Sequence, residues 1–192
     1  MTTQAWAVLL GAYLLGSIPT AYLVSRWVTG SNILETGDGN MGAKNTFQSV
    51  GHLAGVVVGL VDVTKGALTI LMARQFALSE SVQMLAGVCV VLGHDYSLFL
   101  RFRGGQGMAA MVGVLAILFP RELGLALLAL AVMLSITHNW DLSCCIGFGL
   151  FPVILGLGGR PTRQTLYPVL MLPTIGLRKL VSVLAARRVE AG

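Results

Sequence analysis

The sequence predicts an all-α protein that crosses a membrane several times. Of its 192 residues, 55% are hydrophobic and only 11% are charged, and the mean hydropathy is +0.80. A soluble domain has too little interior to bury so much apolar surface. Several runs also reach the roughly 18 apolar residues that a helix needs to cross about 30 Å of hydrocarbon. We therefore expect residues 1–192 to form a single integral membrane domain, a polytopic bundle of about seven transmembrane helices.

Apolar segments follow one another along the chain, separated by polar joints. Their approximate ranges are 5–25, 53–73, 82–100, 107–120, 123–138, 143–158 and 164–177. Residues 1–5 contain no Lys or Arg, and no clear cleavage site follows the first segment, so we expect that segment to remain as a helix. The second segment contains GVVVG at 55–59, a spacing typical of closely packed membrane helices. The fourth, sixth and seventh segments are short for a full crossing.

The distribution of cations predicts the orientation. If the N-terminus lies outside, eight cations fall in cytoplasmic joints, namely Arg26, Lys44, Arg101, Arg103, Arg178, Lys179, Arg187 and Arg188. Four fall outside, namely Arg74, Arg121, Arg160 and Arg163. An excess of Lys and Arg marks the cytoplasmic side, which favours an outer N-terminus and a cytoplasmic C-terminus. The net charge of +5 then reflects topology and attraction to anionic lipids; no nucleic acid partner is expected, because basic patches interleaved with aromatic residues are absent.

This orientation gathers three polar stretches on the cytoplasmic side. They are the 31–48 loop, LRFRGGQG at 100–107 and HNWDLSCC at 138–145. Loops that meet on one face of a membrane protein can form one site. We see no soluble domain and no internal repeat, so any chemistry is expected at that face.

The first polar stretch, TGDGNMGAKN at 36–45, has a composition that suits phosphate. Its glycines are Gly37, Gly39 and Gly42, and its asparagines are Asn40 and Asn45. Glycines let main-chain N–H groups turn inwards as an anion-binding nest, and asparagine side chains add donors. The alternative is a tight interfacial loop in which the glycines only form turns.

The second polar stretch places glycines at the start of an apolar helix. Arg101 and Arg103 precede GGQG at 104–107, where the helix dipole favours an anion. Neither glycine stretch has the GxxxxGK[ST] spacing of a P-loop.

Ionisable residues within the apolar segments include Asp62, Lys65 and His94. Asp62 and Lys65 stand at i, i+3 on one helix face, and charges inside a membrane are expected to pair or to line a polar cavity. A structural ion pair and a functional pair are both consistent with that spacing. His94 lies at the cytoplasmic end of the third segment, either as an interfacial anchor or within reach of the glycine loop.

No cofactor is predicted. The cysteines Cys89, Cys144 and Cys145 fit neither a disulfide framework nor a zinc site, and we interpret them as packing residues. A further hypothesis is that Asp38, Asp95 and Asp141 hold a divalent cation.

Four stretches in order carry a family resemblance. They are AYLLGSIPTAYLVSR at 12–26, GDGNMGAKN at 37–45, DVTKG at 62–66 and LGHDYSLFLRFRGGQGMAAMVG at 92–113. Together they resemble the bacterial membrane acyl-phosphate:glycerol-3-phosphate acyltransferases of the PlsY type, whose patterns are GSGNxGATN, DxxKG and GHxxPxFxxFxGGKGxA. The likeness covers about the first 115 residues, and four motifs in sequence are more specific than any single glycine pattern.

The resemblance implies a seven-helix enzyme of the bacterial inner (plasma) membrane with its site on the cytoplasmic face. Such an enzyme moves an acyl group from acyl phosphate, not from acyl-CoA, to the 1-hydroxyl of glycerol 3-phosphate and gives lysophosphatidic acid. Because acyl phosphate is already activated, positioning and charge stabilisation can supply much of the catalysis. Membrane lipids are the other expected partners, and the oligomeric state is not predicted.

The resemblance also assigns roles to residues at matching positions. The expected catalytic residues are Asp38, Asn40, Asn45 and His94. The expected phosphate-binding residues are Gly37, Gly39, Gly42, Lys44, Gln48, Gly104, Gly105, Gln106 and Gly107. The expected supporting residues are Asp62, Lys65, Arg101, Arg103, Asp141 and Ser143.

Several polar positions differ from the family pattern. The family serine, threonine and arginine of the first motif are Asp38, Lys44 and Gln48, and the GGKG lysine is Gln106. A serine-containing stretch of the family is matched by residues 141–144, and its C-terminal His and Asn motif has no counterpart in residues 178–192. Two hypotheses follow: a working acyltransferase with a remodelled phosphate pocket, and a catalytically silent relative that binds lipid or serves as a membrane scaffold.

Overall fold

The computed structural model describes residues 1–171, and every regular element in that range is helical. The helices are α1 (Thr3–Ser17), α2 (Thr20–Thr29), α3 (Ala43–Ser49), α4 (His52–Gln75), α5 (Glu80–Asp95), α6 (Met108–Leu118), α7 (Pro120–Thr137), α8 (Trp140–Gly149) and α9 (Phe151–Leu157). Short 3-10 turns cover Ile33–Glu35 and Leu98–Leu100, and residues 162–171 are also helical. The predicted all-α class is confirmed.

Five stretches of the described chain are long and apolar enough to cross a membrane. They are Thr3–Thr29, His52–Gln75, Glu80–Leu100, Pro120–Thr137 and Trp140–Leu157, and Met108–Leu118 is a shorter apolar helix. They match the first six predicted segments. Residues 172–177 of the seventh lie outside the described residues, as do the cations Arg178, Lys179, Arg187 and Arg188. The number of crossings and the orientation therefore remain predictions.

The described chain divides into two compact units. The first holds residues 1–114, which comprise α1 to α5 and the start of α6. The second holds residues 115–171, which comprise the end of α6, then α7 to α9 and the helical residues that follow. The single domain over residues 1–192 remains a prediction.

The first predicted segment forms two helices instead of one, because the chain breaks at Ile18 and Pro19. Pro19 has no N–H to donate, and its ring clashes with the preceding turn of a continuous helix. The break leaves the last carbonyl groups of α1 without helical partners, and such groups are costly in apolar surroundings. The sixth predicted segment also divides, into α8 and α9 on either side of Leu150.

Glycines bring helix backbones of the first unit into direct contact. A β carbon at Gly93 of α5 would lie 3.0 Å from the Ser17 main-chain nitrogen of α1. A β carbon at Gly55 of α4 would lie 2.7 Å from the Phe47 main-chain nitrogen of α3. Only glycine permits these approaches, so the close packing predicted for GVVVG is confirmed, here against a helix of the same chain.

An ion pair links two distant stretches of the second unit. Arg160 Nε and Nη2 each lie 2.7 Å from Glu122 Oε1, and the Arg160 guanidinium carbon lies 5.7 Å from the centroid of the Phe119 ring. Glu122 is buried in the first turn of α7, whereas Arg160 follows α9. The pair therefore ties the start of α7 to the chain beyond α9.

Candidate functional site

The first glycine loop is built around the side chain of Asn45. Asn45 Nδ2 donates to the main-chain oxygens of Ile33, Thr36 and Asn40 at 3.3, 2.9 and 2.9 Å. Its Oδ1 accepts from Asp38 N at 3.3 Å and from Ser49 Oγ at 3.0 Å. Asn45 is 1% exposed, so its amide joins five points of the loop and the adjoining helix α3.

The outer part of this loop turns through left-handed glycines. Gly37 and Gly39 have φ of +62° and +67°, a region that favours glycine. Asp38 lies between them with its side chain exposed, and its Oδ1 accepts from Asn40 N at 3.0 Å. The acid that stands where the family pattern has serine thus stabilises the turn that presents Asn40.

The second glycine loop leaves α5 by a tight turn and leads into α6. Arg101 and Phe102 adopt φ of +54° and +62°, and Phe102 N donates to Ser97 O at 2.8 Å. Gly107, with φ of +64°, closes the loop directly before Met108, the first residue of α6. A strained turn of non-glycine residues in the left-handed region therefore precedes the GGQG stretch.

The two glycine loops touch each other above buried polar side chains of α5. A β carbon at Gly105 would lie 3.0 Å from Met41 O of the first loop and 2.9 Å from Cδ2 of the His94 ring. Gly105 N also donates to His94 O at 3.0 Å. A β carbon at Gly107 would lie 2.7 Å from Asp95 Oδ1. His94 and Asp95 are 3% and 0% exposed, so together they form the floor of the second loop.

His94 also belongs to a buried polar cluster, whose other members are Thr20, Asp62 and Lys65. Lys65 Nζ donates to Asp62 Oδ1 at 2.8 Å and to Ile18 O at 2.7 Å, and it also donates to Thr20 Oγ1. Thr20 Oγ1 donates to Asp62 Oδ1 at 3.1 Å, and His94 Nδ1 lies 3.8 Å from the same oxygen. The predicted pairing of Asp62 with Lys65 is confirmed.

Hydroxyl groups at the break in the first span were not among the predicted site residues. Ser97 Oγ donates to Ser17 O at 2.6 Å, and Tyr13 Oη donates to Tyr96 O at 2.8 Å. With Thr20, these contacts fix the end of α1 to the chain just after α5. The signal in the sequence was the stretch GSIPT at 16–20, where a proline with hydroxyl neighbours interrupts an apolar run.

The other predicted site residues occupy three kinds of position. Arg101 and Arg103 are exposed in the second loop and Gln48 is exposed on α3, whereas Lys44 and Gln106 are half-buried. Asp141 and Ser143 belong to the second unit, where Ser143 Oγ donates to Asn139 O at 2.7 Å at the start of α8. Within residues 1–171, no group of three or more His, Cys, Asp and Glu side chains is arranged to hold a metal ion.

The arrangement in the first unit suits a molecule with both phosphate and hydrocarbon parts. Glycine loops offer main-chain N–H groups to phosphate oxygens, and apolar membrane helices offer a lipid-like surface to an acyl chain. The fold thus defines an integral membrane protein, and its glycine loops have a composition suited to an amphiphilic phosphate.

Comparison with known proteins narrows this class to one family. A family model described as glycerol-3-phosphate acyltransferase matches residues 6–187. Glycerol-3-phosphate acyltransferase 1 of Dehalococcoides mccartyi is 38% identical over 177 residues, which is 88% of this chain and 85% of that protein. Glycerol-3-phosphate acyltransferase of Thermus thermophilus is 46% identical over 177 residues, with 89% and 85% covered. The chain belongs to the glycerol-3-phosphate acyltransferase family.

Two solved structures share the fold. The crystal structure of PlsY, an integral membrane glycerol 3-phosphate acyltransferase, in its glycerol 3-phosphate form has a TM-score of 0.85 and 26% identity, covering 96% of this chain and 94% of that chain. Its lysophosphatidic acid form has a TM-score of 0.82 at the same identity, with 96% and 93% covered. This chain is therefore a multi-pass membrane protein of the PlsY type.

Proposed function

We propose that this chain is a membrane acyltransferase that moves a fatty acyl group from acyl phosphate to the 1-hydroxyl of glycerol 3-phosphate. The hydroxyl oxygen forms an ester bond with the acyl carbon, and the bond between that carbon and the phosphate oxygen breaks. Inorganic phosphate leaves, the hydroxyl proton is released, and lysophosphatidic acid is the product. Support comes from family membership and from the neighbour's glycerol 3-phosphate and lysophosphatidic acid forms.

The observation that carries the proposal is the contact between the two glycine loops, seen at Gly105 and Met41. Each substrate carries one phosphate, and each loop can cradle one. We assign one phosphate to the main chain of Gly37 and Gly42 with the side chain of Asn40, while Gly39, whose N–H donates to Thr36 O, shapes the turn. We assign the other to Gly104 and Gly107 with the half-buried Gln106, while Gly105, whose N–H donates to His94 O, holds the loop on α5. Adjacent cradles hold the acceptor hydroxyl against the acyl carbon, and such positioning supplies much of the rate for an activated donor.

Asp38 is the proposed acceptor of the hydroxyl proton. Its carboxylate is exposed at the loop surface and is oriented by the N–H of Asn40. A carboxylate repels a phosphate dianion, so we place Asp38 towards the hydroxyl end of glycerol 3-phosphate. Lys44 and the exposed Arg101 and Arg103 supply positive charge near the loops.

Asn45 and His94 act as positioning residues in this proposal. The amide of Asn45 is engaged by the loop itself, and the His94 ring lies beneath Gly105. Gln48 and Gln106 serve as neutral donors.

The proposed location is a bacterial inner membrane, with the site on the cytoplasmic side. The excess of cations on the side that contains the glycine loops, eight against four when the C-terminal residues are counted, supports this orientation.

The test is acyl transfer by the purified protein in detergent. Palmitoyl phosphate and glycerol 3-phosphate are supplied, and lysophosphatidic acid and inorganic phosphate are measured; palmitoyl-CoA serves as the control donor. A triple variant, Asp38→Ser, Gln48→Arg and Gln106→Lys, is assayed beside the unaltered protein. One restored cationic hydrogen bond to phosphate contributes roughly 1.5–3 kcal/mol, so the variant is expected to lower the KM for a phosphate substrate by about 10- to 100-fold. Its kcat is expected to fall, because Asp38→Ser removes the proposed proton acceptor.

Turnover by the unaltered protein with palmitoyl phosphate, but not with palmitoyl-CoA, supports the proposal. No product from the unaltered protein excludes it and favours the catalytically silent relative. In that case, turnover by the triple variant alone attributes the loss to the remodelled phosphate pocket.

A further inference from the structure

The break between α1 and α2 is joined to the site by two buried donors. Lys65 Nζ of α4 donates to Ile18 O at 2.7 Å, and Ser97 Oγ, just after α5, donates to Ser17 O at 2.6 Å. Both carbonyl groups lie where the helix is interrupted, and Ile18 O also accepts from Thr20 N at 3.0 Å. A charged donor and a hydroxyl donor thus add to the main-chain hydrogen bonds at a point where water is scarce.

The ammonium group of Lys65 also holds Asp62 in place beside His94. The two charges are 2.8 Å apart, and both side chains are at least nine-tenths buried. Asp62 Oδ1 lies 3.8 Å from His94 Nδ1, and the opposite edge of that ring packs beneath Gly105. A continuous path of contacts therefore leads from Lys65 through Asp62 and His94 to the second glycine loop.

We propose that Lys65 is a positioning residue that fixes the position of the 104–107 loop relative to α5, acting through Asp62 and His94. Without the ammonium group, the buried carboxylate of Asp62 loses its counter-charge and turns towards other donors, because an isolated charge is strongly disfavoured in a low-dielectric interior. The His94 ring then shifts, and Gly105 above it follows. The consequence for phosphate binding at this loop rests on the proposed function, whereas the structural coupling does not.

Hydrogen exchange measures the coupling directly. Gly105 N donates to His94 O at 3.0 Å, so its amide reports whether the loop remains seated on α5. The variants are Lys65→Met, which removes the charge, and Thr20→Val, which removes only the hydroxyl in contact with Lys65 and Asp62. Thr64→Val is the matched control, because Thr64 is exposed on the same helix and its hydroxyl donates to Leu60 O of its own helix.

We expect exchange in a peptide covering residues 103–108 to rise by about tenfold in Lys65→Met and by a smaller factor in Thr20→Val, with exchange in α7 unchanged. Thr64→Val is expected to match the unaltered protein. Unchanged loop exchange in folded Lys65→Met overturns the proposal, as does an equal rise in the loop and α7, which indicates general loosening. If Lys65→Met does not fold, Thr20→Val decides by the same criteria.

Kinetics then separate this proposal from the proposed function. If the unaltered protein transfers acyl groups, both variants are expected to raise the KM for a phosphate substrate, with a smaller change in kcat. Unchanged KM values in both variants contradict a role in setting the phosphate loop. If the unaltered protein is silent, the proposed function fails while the exchange result still decides the coupling.

Discussion

Replacing Gly105 with alanine is the sharpest test of how the two glycine loops are held together. The new methyl group would lie 3.0 Å from Met41 O and 2.9 Å from His94 Cδ2. Non-bonded heavy atoms pack best at about 3.5–4.0 Å. Because His94 Nε2 lies closer still to the new methyl group, the His94 ring must move by more than about 1 Å, and the loops must also separate by roughly 0.5–1 Å.

The expected cost follows from this displacement. Forcing one extra methyl group into a packed site costs about 1–3 kcal/mol, which lowers the melting temperature by roughly 2–4 °C per kcal/mol in a protein of this size. Because a misplacement of about 1 Å between reacting groups lowers a rate by about 100-fold, the loss of acyl transfer should exceed the loss of stability. The assays are acyl transfer from palmitoyl phosphate and thermal unfolding in the same detergent.

Gly11→Ala is the control, because no heavy atom lies within 4 Å of a β carbon at Gly11. We expect it to keep the activity and the melting temperature of the unaltered protein. Full activity in Gly105→Ala would refute the view that contact between the loops positions the substrates.

Three further substitutions test other parts of the structure. Asn45→Asp replaces the amide donor of three hydrogen bonds with a carboxylate that faces carbonyl oxygens. We expect about 3 kcal/mol or more of destabilisation, measured by thermal unfolding. An unchanged melting temperature would contradict the role of Asn45 in the loop. Gly113→Ala would bring a methyl group to 2.9 Å from Ala67 N, so α4 and α6 must separate. We expect a cost of about 1–3 kcal/mol in the same assay. No loss of stability would contradict direct packing of the two helix backbones. Glu122→Gln removes the charge that faces Arg160, and we expect a loss of about 1–2 kcal/mol that shrinks in high salt, since the arginine is partly exposed; a loss that does not depend on salt would argue against an ion pair.

The membrane class, the helices and the pairing of Asp62 with Lys65 could be predicted from the sequence because each depends on a local pattern of residues. Apolar runs of sufficient length must be helical in a bilayer, and two charges one turn apart on such a helix have few other partners. These features need no knowledge of how distant segments meet.

The role of Asn45 in the loop could not be predicted from a local pattern of residues. From sequence, its amide is one more donor in a glycine loop; in the structure, it is buried and donates to three carbonyl groups of the loop itself. Which carbonyl groups converge on a side chain depends on the folded path of the main chain, and composition does not specify that path.

Hydropathy also did not predict the break between α1 and α2 in the first span. Residues 5–25 are apolar on average, and one proline does not change that average. The partners that repair the break, Lys65 and Ser97, lie 47 and 80 residues away in sequence from the carbonyl groups they satisfy. Only tertiary structure brings them together.

The placement of Asp62 and Lys65 on one helix has a consequence for how this protein enters the bilayer. A single charge at the centre of a membrane helix costs about 2.5–3.5 kcal/mol during insertion. Because the two charges lie 2.8 Å apart at i, i+3, α4 carries its own counter-ion and does not depend on another helix for neutralisation. The pair can thus form within α4 alone, whereas the bond from Lys65 Nζ to Ile18 O requires the first span to be in place.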